Sequence, residues 1–325
     1  MYHIILNEHG RSKGAVKTFQ KAKRILDQYK IEYSIFVPAY VGEATDIVKR
    51  ILEVEEGIIN LIVVGGDGTI NEVINGITDF NRVRLGVIPA GSGNDFARGL
   101  GIKKNTAKAV YRILGSKMSD GNSIDIGKTT VFDPYGYPES VRFFGISSGA
   151  GLDAYVCKRV DSSSFKKVLN KIKLGGFSYI IFTIISLFTM DYEDVTVTCY
   201  DEDDDGKAKS GDDSSNVFSF NKMIFMASMN MKCEGGGVAM APDASPRDGK
   251  LSLCIGHDIS RFKAFFTLPF LSAGKHKNFK AFDLFNSKAV ELKAAHPVVV
   301  HADGEGLGMT DHVRMEIVPG KLMIM

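Results

Sequence analysis

Ile58-Ile59-Asn60-Leu61-Ile62-Val63-Val64-Gly65-Gly66-Asp67-Gly68-Thr69-Ile70-Asn71-Glu72 is the stretch whose reading decides the fold. Its first seven residues are apolar at every position but Asn60 and mostly β-branched. Such a run, without polar alternation, reads as a strand buried on both faces, and strands of that kind belong to parallel sheets covered by helices. The glycines then turn the chain, and a helix over 71–77 opens from the run. The arrangement recurs downstream, where a strand over 84–88 leads into Pro89-Ala90-Gly91-Ser92-Gly93-Asn94-Asp95-Phe96 and a helix begins at 95.

Outward from this pair, 2–6 and 33–37 read as strands and 16–29 and 43–53 as amphipathic helices. The βαβα order predicts a parallel sheet with ligands at the strand C-terminal ends. Beyond about residue 125 the texture changes to strands over 141–146, 194–200, 217–226, 250–255, 289–292 and 298–301. These predict a second, mainly antiparallel β domain, with helices only in the 163–190 region and over Arg261–Ser272. The acidic run from Asp201 to Asp205 reads as a solvated hairpin tip, because its spacing misses the EF-hand pattern. Gly149-Ala150-Gly151-Leu152-Asp153-Ala154 fits a dinucleotide fingerprint by letter but lies outside the βαβ region, so it is read as a turn.

Composition narrows the function classes. The 325 residues predict about two domains, and a net charge of +2 is too small for the broad positive field of a nucleic-acid binder. Four cysteines without a C-x-x-C pair signal neither a zinc site nor a disulfide framework, and they fit a reducing cytosol. The N-terminal residues run straight into a strand with no basic region or cleavage site, so no secretory signal is expected. The apolar stretch 177–190 would reach only about 21 Å as a helix, short of a bilayer span.

A glycine turn at the end of a parallel strand aims backbone N–H groups at an anion, and the helix that follows adds positive potential. Each loop here also carries a carboxylate, Asp67 and Asp95. A bare anion site would gain nothing from them; Mg2+ bridging the phosphates of a nucleotide triphosphate reconciles the two. The plainer alternative is that the glycines serve tight turns and the Asp residues cap helices. No G-x-x-x-x-G-K-[ST] or H-E-x-x-H pattern occurs. His296 and His301 flank an apolar strand and read as ordinary hydrogen-bonding residues.

With both loops in hand, the chain resembles the bacterial diacylglycerol kinase and lipid kinase family, the diacylglycerol-kinase catalytic domain shared with sphingosine and ceramide kinases. The likeness extends through Ser123-Ile124-Asp125-Ile126-Gly127, Gly151-Leu152-Asp153-Ala154, Asn230 with Gly235-Gly236-Gly237, Asp248-Gly249-Lys250-Leu251 and Ala302-Asp303-Gly304-Glu305. It implies an α/β fold, with a Rossmann-like parallel-sheet N-terminal domain over 1–125, joined by a return strand at about 313–325, and a β-sandwich lipid-substrate domain over 126–312. The resemblance also implies ATP and Mg2+ as cofactors. Asn7, Gly66, Asp67, Gly68, Thr69, Ile70, Asn71, Glu72, Ser92 and Asn94 fall on the family's nucleotide side, although Glu8 follows Asn7 where the family has proline. Asp67, Asp95 and Asp125 match its active-site Mg2+ network, and Ser245, Asp248 and Lys250 a structural Mg2+ site. Its general base corresponds to Glu305 or Asp303.

The residues themselves suit kinase chemistry, which needs positioning, charge neutralisation and removal of a hydroxyl proton. Asp303 and Glu305, one glycine apart, can serve the last need, and general base catalysis is worth roughly 10²–10⁴-fold. Lys158, Arg159, Lys166, Lys167, Lys171 and Lys173 precede the apolar 177–190 stretch, a pairing that an anionic bilayer attracts; the rival reading is an ordinary core helix with Ser178, Thr183, Ser186 and Thr189 as its wet stripe. The expected activity is ATP-dependent phosphorylation of a membrane lipid, diacylglycerol first, by a cytoplasmic protein in transient contact with the inner face of the membrane. A homodimer is left open. Rival readings are an NAD-kinase-like or other small-molecule kinase and a non-catalytic nucleotide or lipid sensor; the latter would lose the motif carboxylates that this chain retains.

Overall fold

The computed structural model describes residues 1–8, 14–116, 122–162, 175–200 and 217–325, with 158–162 and 175–180 as backbone only. The chain divides into two compact units, Met1–Ile126 with Pro246–Gly249 and Val318–Met325, and Gly127–Ser245 with Lys250–Ile317.

In the first unit, β1 (Tyr2–Leu6), β2 (Tyr33–Phe36), β3 (Ile59–Gly65) and β4 (Val83–Pro89) alternate with α1 (Gly14–Gln28), α2 (Glu43–Val54) and α3 (Asp67–Gly76). Then come α4 (Asp95–Gly99) and α5 (Thr106–Gly115). The strands lie parallel in the order β4-β3-β1-β2, and β14 (Glu305–Ile324) returns at its end to pair parallel with β4 through Met323 and Ile324. Ile4, Ile5, Leu61, Val63, Val64 and Leu85 are buried in this sheet. α1 covers it with Ala15, Phe19, Ala22 and Leu26, and α2 contributes Ala44, Ile47, Val48, Ile51 and Leu52 to the core. This is the architecture that uninterrupted apolar strands require, because neither sheet face can be left wet. α3 starts at Asp67 rather than at residue 71, so the second glycine of the Gly66-Asp67-Gly68 run already lies in its first turn.

In the second unit the strands are antiparallel. β7 (Ser147–Gly151), β10 (Phe225–Met229), β11 (Leu251–Gly256), β12 (Phe282–Ser287) and β13 (Ala289–Ala302) run in the order β12-β11-β10-β7-β13, followed by β14. β8 (Glu193–Tyr200) pairs with both β13 and β9 (Val217–Met223). β5 (Ser123–Phe132) pairs with β6 (Pro138–Phe144). The reading of 289–292 and 298–301 as separate strands is corrected. They are one strand whose register breaks between Lys293 and Val298, around Pro297, which cannot donate to a ladder. Before the break β13 pairs with β8, and after it with β7, which lets one strand serve both layers of a sandwich. Conversely, 217–226 is not one strand but β9 and β10, with Lys222 in the left-handed region at φ 50.

One apolar core contains Val197, Met226, Leu253, Leu292, Val300 and Met315. A second packs strand residues Ala227, Met229 and Cys254 against the helices α6 (Leu152–Ser162), α7 (Gly175–Thr189) and α8 (Arg261–Ser272). The stretch from Gly149 to Ala154 is not a turn: β7 runs directly into α6 there, and Gly151 sits at φ 93 where a Cβ would lie 2.4 Å from the Ile224 carbonyl oxygen. Among the described residues no helix is long and apolar enough to cross a membrane. The acidic run after Tyr200 and the lysines at 166, 167, 171 and 173 lie outside the described residues, as do the side chains of Lys158 and Arg159.

Candidate functional site

The parallel register sets Gly65 of β3 beside Pro89 of β4, so both glycine loops leave the sheet at neighbouring points. The Ala90 N–H donates to the Gly65 carbonyl at 2.8 Å. A Cβ on Gly66 would lie 3.0 Å from the Gly91 Cα, and one on Gly91 would lie 2.5 Å from the Gly66 Cα, so the two backbones touch where no side chain fits. Asp67 closes the junction. Its carboxylate accepts the Asp95 and Phe96 N–H groups, both at 3.1 Å, and thereby caps α4 from across the loops. Asn94, in the left-handed region at φ 54, makes no cap bond of its own and instead exchanges two 2.8 Å hydrogen bonds with the Gly91 backbone. Burial pushes the Asp67 carboxyl above its ordinary pKa, opposed by the amides at the start of α4.

The remaining loop residues divide by role. Asn7 donates to the Thr69 hydroxyl at 2.8 Å, bringing the end of β1 to the first turn of α3. Asp95 is buried and paired with Arg98. Gly68 is half-buried and Ser92 exposed. Ile70 and Asn71 are buried, and Asn71 receives the Asn75 amide on its carbonyl at 2.9 Å. Glu72 faces away toward α2, where it accepts the Ala44 N–H at 3.3 Å. Asn7, Gly66, Asp67, Thr69, Asn94 and Asp95 therefore converge at the C-terminal ends of the parallel strands. Asp125 holds a different junction: its oxygens accept the Gly249 N–H at 2.8 Å and the Gly320 N–H at 2.7 Å, tying β5 to the Pro246–Gly249 turn and to the returning end of β14. Asp248 and Lys250 at that turn are exposed, and Ser245 is half-buried.

In the second unit, Asp303 turns the chain between β13 and β14 at φ 50, followed by Gly304 at φ 85. Its carboxylate accepts the N–H groups of Gly145 at 2.7 Å, Ile146 at 2.8 Å and Ser147 at 3.1 Å. Its own N–H donates to the Ser147 carbonyl at 2.8 Å. Glu305, half-buried, opens β14 beyond this clamped turn.

Behind the turn lies a cluster that the sequence reading missed. His301 Nε2 meets Asp153 Oδ2 at 3.1 Å, and Glu234 accepts a short hydrogen bond from the Ser147 hydroxyl. Ligand atoms of Asp153, Glu234 and His301 all lie within 4.8 Å of one another. Burial raises the Glu234 carboxyl to about 7, and the neighbouring Asp153 and Asp303 carboxylates add to the effect. Burial disfavours a charged His301 ring, while Asp153, Glu234 and Asp303 pull its pKa up to about 9. The Gly304 N–H, 3.1 Å from Nδ1, opposes that pull: the contact uses a lone pair on Nδ1 and favours a ring whose proton sits on Nε2, facing Asp153. The same contact argues against a metal centre, because a ligating imidazole donates its second N–H to an acceptor, and here that nitrogen receives one. The one local signal was His301 standing three residues before Gly304, within reach of a turn amide.

Residues 1–128 match the diacylglycerol kinase catalytic domain, and residues 146–325 match the YegS C-terminal NAD kinase beta sandwich-like domain. The chain belongs to the diacylglycerol kinase and lipid kinase family. A candidate lipid kinase of Bacillus subtilis (strain 168), YtlR, is 26% identical over 95% of this chain and 94% of its own length. A diacylglycerol kinase of Staphylococcus epidermidis (strain ATCC 12228) is 28% identical over 86% of this chain and 78% of its own. The fold is that of a candidate diacylglycerol kinase crystallised from Bacillus anthracis str. Sterne, with a TM-score of 0.70 at 20% identity over 99% of this chain and 96% of that one. Yeast NADH kinase complexed with NADH shares it more distantly, with a TM-score of 0.53 at 10% identity over 100% of this chain and 82% of that one. Membership of a kinase family makes the protein a phosphotransferase, and the β-sandwich class of its second unit agrees with the sequence expectation.

Proposed function

We propose that the protein transfers the γ-phosphoryl group of ATP to a hydroxyl of a membrane lipid, diacylglycerol first, giving phosphatidic acid at the inner face of the membrane. The observation that carries this reading is the junction of the two glycine loops. Backbone approaches backbone at Gly66 and Gly91, and the first-turn amides of α3 have no carbonyl partners within the helix, the property that lets a helix start bind phosphate. Asn7 and Thr69 add polar side chains at the same end of the sheet.

Carboxylates are the ligands a hard cation takes, and Asp67 and Asp95 stand in the two loops that meet, with the Asp95 amide 3.1 Å from Asp67 Oδ2. Those two residues would hold Mg2+, which supplies charge neutralisation of the phosphates when bound. Asp125 and the Asp248 turn serve as a structural clasp, with Ser245 and Lys250 flanking it for the second ion. On the acceptor side, the amides of Gly145, Ile146 and Ser147 occupy both oxygens of Asp303. Glu305 therefore takes the hydroxyl proton, and Asp303 positions it.

Labelled ATP incubated with vesicles of different lipids, with NAD and with water, followed by identification of the labelled product, tests the proposal. Label in phosphatidic acid is the expected result. Label in NADP, or release of phosphate alone, would refute it.

A further inference from the structure

Helix α8 is apolar on two faces. Ala264 and Leu271 point into the core shared with α6 and α7, as a surface helix requires. On its other side Phe262, Phe266 and Phe270 recur at every fourth residue, 66%, 57% and 47% exposed. The Phe262 and Phe266 rings stack edge to face at 5.1 Å, so the stripe is continuous rather than scattered. Arg261 extends it. Its guanidinium donates to the Phe188 carbonyl at 2.8 Å and to the Met190 carbonyl at 2.6 Å, fastening the start of α8 to the end of α7. There Ile185 and Phe188 are also solvent-facing.

The charged residues of the segment itself have one sign. From 259 to 281 the chain carries Arg261, Lys263, Lys275, Lys277 and Lys280 and no Asp or Glu. Lys277 is paired with Asp243, whereas Lys263, Lys275 and Lys280 are exposed beside the phenylalanines. Exposed aromatic rings beside lysines, with no carboxylate in the segment, complement an anionic lipid surface: the rings enter the acyl boundary and the ammonium groups meet the headgroups. The exposed Lys263, Lys275 and Lys280 favour that surface over a partner protein or a second copy of this chain, either of which would present mixed charges.

We propose that the outer face of α8, Phe262, Phe266 and Phe270 with Lys263 and Lys275, together with Ile185 and Phe188 of α7, is the surface by which this protein docks on an anionic bilayer. Its purpose, delivery of a lipid acceptor, rests on the function proposed above; its existence does not, because vesicle binding is read without turnover.

The test uses the full chain and vesicles rich in phosphatidylglycerol, with pure phosphatidylcholine vesicles as the neutral control. Wild type is expected to sediment with the anionic vesicles, and Phe262→Ser/Phe266→Ser to lose about tenfold or more in partitioning at an unchanged melting temperature. Lys263→Glu/Lys275→Glu should lose binding to anionic vesicles only. Turnover of a short-chain, water-dispersed diacylglycerol should be the same in wild type and the phenylalanine variant, while turnover of vesicle-embedded diacylglycerol falls in the variant. Absence of turnover on every acceptor, with phenylalanine-dependent vesicle binding intact, would refute the kinase reading and support the docking face. Unchanged partitioning of the phenylalanine variant would overturn the docking face. So would a phenylalanine-dependent dimer in sedimentation equilibrium from a wild type that ignores vesicles.

Discussion

Asp67 and Asp303 each precede a glycine, and each accepts backbone amides, yet the two turns do different work. Asp67 begins a helix and reaches across to the first amides of another, so its carboxylate joins two loops that are separate in the chain. Asp303 sits in the left-handed region and takes two amides from the connection between β6 and β7 and one from the first residue of β7, so its carboxylate fixes the turn on which it stands. An Asp-Gly pair therefore states only that the chain bends; what the carboxylate holds depends on which amides the fold brings to it.

The sharpest way to test that contrast is to separate Asp303 from its neighbour. Glu305→Gln is expected to lower kcat by roughly 10²–10⁴-fold with an unchanged melting temperature, because it removes a proton acceptor and no packing. Equal kcat in the purified variant would dismiss Glu305 as the base. Asp303→Asn should behave differently, losing about 1–3 kcal/mol of stability in urea melts as buried amides lose a charged acceptor, with kcat falling through displacement of Glu305. A variant with full stability would show that the amide clamp is unimportant.

The cluster behind the turn adds a pH signature. Glu234 titrates near 7 in the folded protein and near its ordinary value when unfolded, so its proton is held more tightly in the native state. Below the unfolded pKa it is neutral in both states and costs nothing. As pH rises toward 7 the unfolded chain releases the proton first and native stability falls. Glu234→Gln, which lacks this titration, should gain on wild type by about 1–3 kcal/mol at pH 8 relative to pH 4. Thermal melts at the two pH values measure the difference, and a gap that does not widen with pH would exclude a raised Glu234. The smallest effect is expected at the loop junction: Asn94→Ala removes two hydrogen bonds to Gly91 and should cost about 1 kcal/mol, with KM for ATP rising more than kcat falls. Steady-state kinetics over a range of ATP concentrations decides that case.

Much of the first unit was legible because its signals are local. Apolar runs such as 58–64 need no partner to declare themselves buried, and glycines after a strand announce a turn by their own conformational freedom. The second unit was read less well. Pro297 breaks the strand pattern of β13, and Ser147-Ser148-Gly149-Ala150-Gly151 has neither alternation nor large side chains to mark β7 as a strand, although all five residues are buried.

The order of elements from β1 to α4, the two glycine loops and the acidic turn near the C-terminus were set by residues close together in the chain, and the sequence alone determined them. Only the tertiary structure decided that Asp67 caps α4, that Asp125 clasps the returning end of β14 and that Asp153 faces His301, 148 residues away. The physical reason is that a hydrogen-bond partner is chosen by proximity in space, and periodicity and local turn chemistry carry no information about which distant backbone amide or ring will arrive beside a given carboxylate.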